Sequence, residues 1–369
     1  MQNMRRKFLQ YLGIGAASYS VTACNSDETT ETQSVELSHQ QTFEWKMITT
    51  WPKNFPGLGT GAEFLAKTIN EMSNGRIKIK VYGAGEIVPA FEIFDAVTAG
   101  TAEMGHGSAY YWKGKNPAFQ FFSTVPFGMT ASEMNAWLYH GGGMELWQRA
   151  YEPFGLVPMA AGNTAVQMGG WFNKEINSIE DLNGLKMRIP GLGGEVLRQA
   201  GGTPVNVPGG DLFVSLQNGV IDATEWVGPY NDLAFGLHKA AKYYYSPGWH
   251  EPGTTLECFV NKKAFDSLPE DLQSIVLNAA RVANQDMMLE YVARNNDALE
   301  VLVNEHNVEV REYPADVIEK LRALAEQVVA EVVGDDPFAK EIYDSYQSFL
   351  TKSKAWQNLS ERAYLNMRG

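Results

Sequence analysis

Phe43, Trp45 and Met47 alternate with polar neighbours, which is the period of a half-buried strand. Ala62, Leu65, Ile69 and Met72 then recur at helical spacing until Gly75 stops them. Ile77, Ile79 and Val81 alternate with Arg76, Lys78 and Lys80 and predict a second strand. Strand, helix and strand over this distance predict a βαβ unit and a parallel sheet. Further along, Ser178-Ile179-Glu180-Asp181 has the form of a capping box, Gly184 ends the short helix it opens, and residues 186–189 alternate as a strand. Gly191, Gly193 and Gly194 then lead into a helix expected over 195–200.

From Pro269 to His306 no further proline or glycine interrupts 38 residues, and Ser267 with Glu270 offers a capping box. At about 1.5 Å per residue such a helix reaches roughly 57 Å, enough to brace two lobes. Residues 308–313 are expected as a strand and 315–333 as a helix ended by Gly334. In the last segment, Pro337 to Asn366, Ile342, Phe349, Trp356 and Ala363 recur every seven positions. A helix exposing that stripe needs a host, either its own body or a second subunit.

Residues 92–103 (EIFDAVTAGTAE) and 211–222 (DLFVSLQNGVID) share the order acid, aliphatic, Phe, apolar helix face, Gly, acid, at an offset of 119 positions. Either two helix–Gly–strand units match by chance, or two similar lobes each aim one such unit at a shared cleft.

The chain has 369 residues, 44% of them hydrophobic and 20% charged, a globular composition long enough for two lobes. No run of 18 apolar residues occurs, so no helix is expected to span a membrane. The net charge is −13, and Arg5, Arg6 and Lys7 at the start make the remainder more acidic still. That balance argues against nucleic acid as a partner. Two cysteines, Cys24 and Cys258, exclude a disulfide framework and a multi-cysteine zinc site. Residues 1–24 read as an export signal: paired arginines, Phe-Leu and a Gly/Ser-diluted apolar stretch resemble a twin-arginine leader. Val21-Thr22-Ala23-Cys24 resembles a lipobox with Cys24 as the lipidated residue; the alternative is an ordinary cleaved signal with an incidental cysteine. Residues 25–41 are polar and read as a tether.

The chemistry-bearing motifs are mostly negative. Gly57–Ala62 fits the dinucleotide fingerprint, but the second strand ends in Tyr82-Gly83 where a ribose-binding acid belongs. The six histidines show no paired ligand spacing, and neither a nucleophile elbow nor a P-loop is present. Cys258 sits in an apolar run and reads as a buried thiol. An exported, two-lobed chain without a catalytic constellation points to a binding protein.

The stretches EIFDAVTAGTAEMGH, QMGGWFNKEINSIEDLNGLKMRIPG, GGEVLRQAGGTPVNVPGGDLF and LQNGVIDATEWVGPYNDLAFGLHKAAKYYYSPGWHEP, with the C-terminal extension, resemble the solute receptors of TRAP (tripartite ATP-independent periplasmic) transporters. Within that family the chain is most similar to the 2-oxoacid and lactate binders, and the resemblance spans residues 42–369. It implies an α/β, two-lobed periplasmic binding protein with a long lobe-bridging helix. Residues 42–161 plus about 252–285 are expected to form one lobe, 162–251 plus about 286–335 the other, and 336–369 a dimerisation helix. It also implies a small monocarboxylate ligand, a sodium-coupled membrane permease as partner, a homodimer, and no enzymatic activity.

By the same resemblance, Arg188 anchors the ligand carboxylate, for which a planar guanidinium fork is suited. Gln167, Glu225, Trp226 (through its main-chain carbonyl) and Glu251 match positions that hold one hard cation, calcium or sodium, bridging protein and substrate. An ion read together with a keto or hydroxyl oxygen favours 2-oxo and 2-hydroxy acids. Tyr110 and Tyr111 match contacts from the first lobe. Read as residues only, Arg188 could be an exposed strand arginine, Glu225 and Glu251 surface acids, and the tyrosines core. The competing functions are a receptor for another organic acid, a secreted enzyme using His250 beside Glu251, and an adhesive lipoprotein.

Overall fold

The computed structural model describes residues 41–369. The expected leader, Cys24 and all but the last residue of the tether lie outside them. The first half of the body comprises β1 (Phe43–Thr49), α1 (Leu58–Met72), β2 (Ile77–Tyr82), α2 (Ile93–Thr98), β3 (Met104–Gly107), α3 (Ala131–His140), α4 (Gly143–Tyr151) and β4 (Leu156–Asn163). Then come β5 (Gly170–Phe172), β6 (Lys186–Arg188), α5 (Gly191–Gln199), β7 (Thr203–Val205), α6 (Leu212–Gln217), β8 (Ala223–Thr224), α7 (Pro229–Phe235) and β9 (Tyr243–Ser246). The chain finishes with β10 (Thr255–Asn261), α8 (Lys262–Asp266), α9 (Glu270–Asn304), β11 (Glu309–Glu312), α10 (Ala315–Val333), α11 (Pro337–Leu359) and α12 (Glu361–Arg368).

Two sheets result, one per lobe. The first has the order β2-β1-β3-β10-β4, and its first three strands are parallel as the βαβ pattern predicts. The second has the order β11-β9-β5-β8-β6-β7. The chain crosses between the sheets after β4 and returns before β10. These two crossovers are bonded to each other: Thr164 N donates to Thr254 O at 3.0 Å, Gln167 N to Glu251 O at 3.2 Å, and Gly248 N to Gln167 O at 2.7 Å.

The weak repeat is real in three dimensions. Each copy is a single 3-10 turn (Ala90–Glu92 and Gly209–Asp211), a six-residue helix and a left-handed glycine (Gly100 and Gly219). Each copy then enters a strand inside its own sheet, β3 or β8.

α9 carries its buried positions on two different neighbours. Leu272, Val276, Ala279 and Ala283 pack on the first sheet, whereas Met287, Tyr291 and Leu302 join a cluster with Trp171, Leu212 and Tyr244 of the second. The 35 residues of α9 span roughly 52 Å. It therefore braces both lobes.

Three local expectations are corrected. α5 begins at Gly191, not at residue 195. Two of its glycines are required because the backbone runs against neighbours: a Cβ on Gly194 would lie 2.5 Å from Ile189 O, and one on Gly193 2.9 Å from His250 Cβ. The Ser267/Glu270 box does not form. Pro269 occupies the cap position, which makes Glu270 the first helical residue where the box needs it third, and Ser267 Oγ donates instead to Ala264 O at the end of α8. The C-terminal segment is also not one free helix. It breaks at Ser360, and its first half is hosted by its own chain. Ile342, Tyr346 and Leu350 are buried, Tyr346 OH accepts from Met129 N at 2.9 Å, and Trp137 Nε1 donates to Ser345 Oγ at 3.1 Å. Each buried apolar side chain contributes roughly 1.5–3 kcal/mol. Of the seven-residue stripe, Ile342 is buried, Phe349 half-buried and Trp356 68% exposed.

Candidate ligand and cation site

The site is assembled from the carboxyl ends of parallel strands in both sheets, where open α/β sheets bind ligands. β1 ends and leads to Trp51, and β3 leads to the 3-10 turn Ala109–Trp112 that carries Tyr110 and Tyr111. β6 ends on Arg188, and β8 leads to Glu225 and Trp226. The two bonded crossovers add Thr164, Gln167, Glu251 and Thr254. Together Trp51, Leu58, Tyr110, Tyr111, Gln167 and Arg188, with neighbours, line one narrow cavity.

Arg188 is 1% exposed, so it is no surface strand arginine. Its Nη1 donates to the Glu225 carboxylate and, at 3.2 Å, to the Glu225 main-chain carbonyl. Nε donates to Val207 O at 3.3 Å, and Nη2 donates to Tyr111 OH at 3.3 Å across the cleft. Its guanidinium lies over the Trp226 ring, 4.9 Å from the centroid. Burial opposes its charge, but Glu225 and the neighbouring tyrosines and Glu251 outweigh that and raise its pKa.

Glu225 and Glu251 are likewise buried and are not surface acids. Gln167 donates through Nε2 to Glu251 Oε2 at 2.8 Å and to Thr164 Oγ1 at 3.0 Å, and Thr254 Oγ1 donates to Glu251 Oε2 at 2.6 Å. Burial, reinforced by the Glu225 charge, pushes the Glu251 carboxyl up to about 7. Tyr110 is buried and its hydroxyl pKa is raised, first by burial and then by Glu251. Tyr111 is half-buried between the lobes.

Two oxygens carry the chemical argument for a cation. Gln167 Oε1 and Glu225 Oε2 are buried and have no hydrogen-bond partner among the described residues. A buried polar atom without a partner is costly, and a hard cation accepts amide and carboxylate oxygens of this kind. Glu225, His250 and Glu251 bring one ligand atom each within 4.8 Å of one another. The residues present therefore fit a hard ion. Trp226 lies beside them with a buried indole.

Some participants are not legible from motifs. His250 was readable only as an acid–base candidate; its Nε2 lies 3.5 Å from Glu225 Oε2, and its one sequence signal is adjacency to Glu251. Thr164, Thr254 and Trp51 carry no signal at all. Gly57–Ala62, the dinucleotide look-alike, opens α1 and delivers Leu58 to the cavity wall. Cys258 is fully buried in β10, and burial pushes its thiol pKa up.

A two-lobed α/β body with charged groups buried in the cleft defines a solute-binding receptor. Comparison with known proteins gives the family: residues 48–335 match DctP, bacterial extracellular solute-binding protein, family 7, and the chain belongs to this family of TRAP periplasmic receptors. It is 42% identical, over 98% of both chains, to a monocarboxylate 2-oxoacid-binding periplasmic protein of Nostoc sp.. A crystal structure of a TRAP solute-binding protein from Pseudoalteromonas atlantica with bound sodium and pyruvate is 45% identical. It superposes with a TM-score of 0.86 and covers 88% of this chain and 99% of that one. A TRAP solute-binding protein from Bordetella bronchiseptica, a dimer with calcium and picolinate in its occupied site, is 37% identical. Its TM-score is 0.87, and the match covers 89% of this chain and 97% of that one.

Proposed function

We propose that this protein captures a small 2-oxo or 2-hydroxy monocarboxylate, pyruvate-like in size, together with one calcium or sodium ion, and hands it to the sodium-coupled membrane subunits of a TRAP transporter. The observation that carries this reading is the pair of unpartnered buried oxygens, Gln167 Oε1 and Glu225 Oε2, beside the buried Arg188. Arg188 supplies the fork for the carboxylate, and the Tyr110 and Tyr111 hydroxyls close over it from the first lobe. Gln167, Glu225, Glu251 and the Trp226 carbonyl hold the cation. When bound, that ion neutralises the buried carboxylates and offers a coordination position to a keto or hydroxyl oxygen of the ligand. The names of the Nostoc and Pseudoalteromonas relatives support the same ligand class.

The two sheets support lobes formed by 42–161 with about 252–285 and by 162–251 with about 286–335. We also infer a homodimer through the outer part of the C-terminal segment. Trp356, Leu359 and Met367 are 68%, 81% and 76% exposed, and the Bordetella relative is a dimer. An export signal with Cys24 as lipid anchor agrees with the family's periplasmic location.

Native mass spectrometry of the purified protein tests the function directly. A co-purifying 2-oxo or 2-hydroxy acid with one calcium or sodium ion is expected. A protein that binds such acids equally well after exhaustive cation removal would overturn the bridge.

A further inference from the structure

Resting on the reading above, we propose that Trp51 limits the carbon chain of the acid the cleft accepts, and that His106 is the positioning residue that holds it there. The cavity lining divides by chemistry. Arg188, Gln167, Thr164, Thr254 and the two tyrosines are polar, whereas Trp51, Leu58, Trp226, Val227 and Leu256 form an apolar wall. A carboxylate and a 2-oxo group use the first set, so the ligand's carbon tail is left to the second.

Trp51 and Trp226 are the largest members of that wall; the Arg188 guanidinium lies over the Trp226 ring, whereas the one polar atom of Trp51 is already engaged. The indole Nε1 donates to His106 Nδ1 at 2.8 Å, with both residues buried. His106 Nε2 faces Ala161 O at 3.4 Å, which makes Nδ1 the acceptor nitrogen. Burial lowers the His106 pKa to about 4, so the ring remains neutral and keeps that lone pair. Trp51 thus offers the cavity an apolar surface and no donor. Its ring lies 6.2 Å from Tyr111 and 6.2 Å from Trp226, wedged between the ligand-facing aromatics of the two lobes.

The internal repeat supports the positioning role. At the offset of 119, His106 occupies in the first unit the place that Glu225 occupies in the second. Both stand at the end of an equivalent strand, and both grip a residue from the end of the parallel strand alongside. His106 from β3 holds Trp51 beyond β1, and Glu225 beyond β8 holds Arg188 on β6. One grip orients the carboxylate anchor and the other orients the apolar stop.

Calorimetry on the full-length protein, in one cation-containing buffer, should compare pyruvate, 2-oxobutanoate, 2-oxopentanoate and 4-methyl-2-oxopentanoate. Trp51→Phe is expected to move the affinity ratio of the longest acids to pyruvate about tenfold toward the longer ones, the scale of one or two methylenes in an apolar pocket. His106→Leu is expected to move the ratio the same way, and His106→Gln, which retains an acceptor, to restore it to within about threefold of wild type. Trp51→Met reads the same ratio should the Phe variant unfold. A ratio unchanged in a folded Trp51 variant, with all acids weakened equally, would show that Trp51 only packs and would overturn the proposal. Wild-type protein that binds none of the four acids would instead overturn the functional reading beneath it.

Discussion

Arg188 and Glu225 grip each other inside the cleft: the guanidinium Nη1 donates to both the carboxylate and the main-chain carbonyl of Glu225, and both side chains are 1% exposed. They come from adjacent parallel strands, and Glu225 N in turn donates to Arg188 O at 3.2 Å. The proposed carboxylate anchor and a proposed cation ligand are therefore one electrostatic unit. A ligand carboxylate entering this unit would bring a second negative charge toward Glu225, which a cation held by Gln167, Glu225 and Glu251 would compensate. The pair also sets limits on any mutational test, because removing one partner strands the other in a buried site.

For that reason Arg188→Met is expected to abolish acid binding, a loss of roughly 2–5 kcal/mol, and to destabilise the fold by about 3–5 kcal/mol. The double variant Arg188→Met/Glu225→Gln should recover most of the stability and none of the binding. Thermal melts and calorimetry on both proteins check this. Near-native affinity in either folded variant would remove the anchor role.

Gln167→Leu deletes one of the unpartnered oxygens while leaving the Arg188–Glu225 pair intact. Cation and acid should weaken together, each by about tenfold or more, because coupling between two ligands is reciprocal. Titrations of each ligand with and without the other measure the coupling. Loss of acid affinity with unchanged cation affinity would place the amide on the acid alone.

Stability should respond to pH through buried groups of opposite sign, among them His106 and Glu257. His106 is lowered from 6.5 to about 4, so its contribution is present above 6.5 and is lost as pH falls toward 4, roughly 3 kcal/mol in all. Glu257 is raised from 4.5 to about 7 by burial, against hydrogen bonds from Trp112 and Tyr151. Its contribution is present below 4.5 and is lost as pH rises through 7. Urea unfolding between pH 4 and 8 should therefore show His106→Gln losing stability mainly at the high end. Glu257→Gln should gain relative to wild type as pH rises. Parallel curves for wild type and both variants would contradict these assignments.

Removing residues 352–369 deletes Trp356, Leu359, Tyr364, Leu365 and Met367, all exposed, and spares Ile342, Tyr346 and Leu350, all buried. Sedimentation should find the trimmed protein monomeric and folded, with full-length protein dimeric. A trimmed protein that remains a dimer would move the interface elsewhere.

Much of the body could be read from the chain because its signals are local. The alternation in β1 and β2, the helical spacing of α1, the Ser178 capping box and the uninterrupted length of α9 each depend on residues a few positions apart. The repeat at 119 positions also survives, since each unit folds through its own helix, glycine and strand. Arg188, Gln167, Glu225 and Glu251 could be singled out by resemblance, but not their burial or their pairing. Those depend on the two crossovers bonding to each other, which brings Gln167 to Glu251 across 84 positions. The Trp51–His106 contact, 55 positions apart, arises because β1 and β3 lie side by side. Periodicity has no term for such neighbours. The start of α5 at Gly191 runs against the low helix propensity of its glycines, and no proline or glycine marks the break at Ser360. The first turn of α5 runs so close to Ile189 and His250 that positions 193 and 194 admit only glycine. The C-terminal segment stops burying side chains after Leu350 and continues as helix to Leu359, exposed over most of that length.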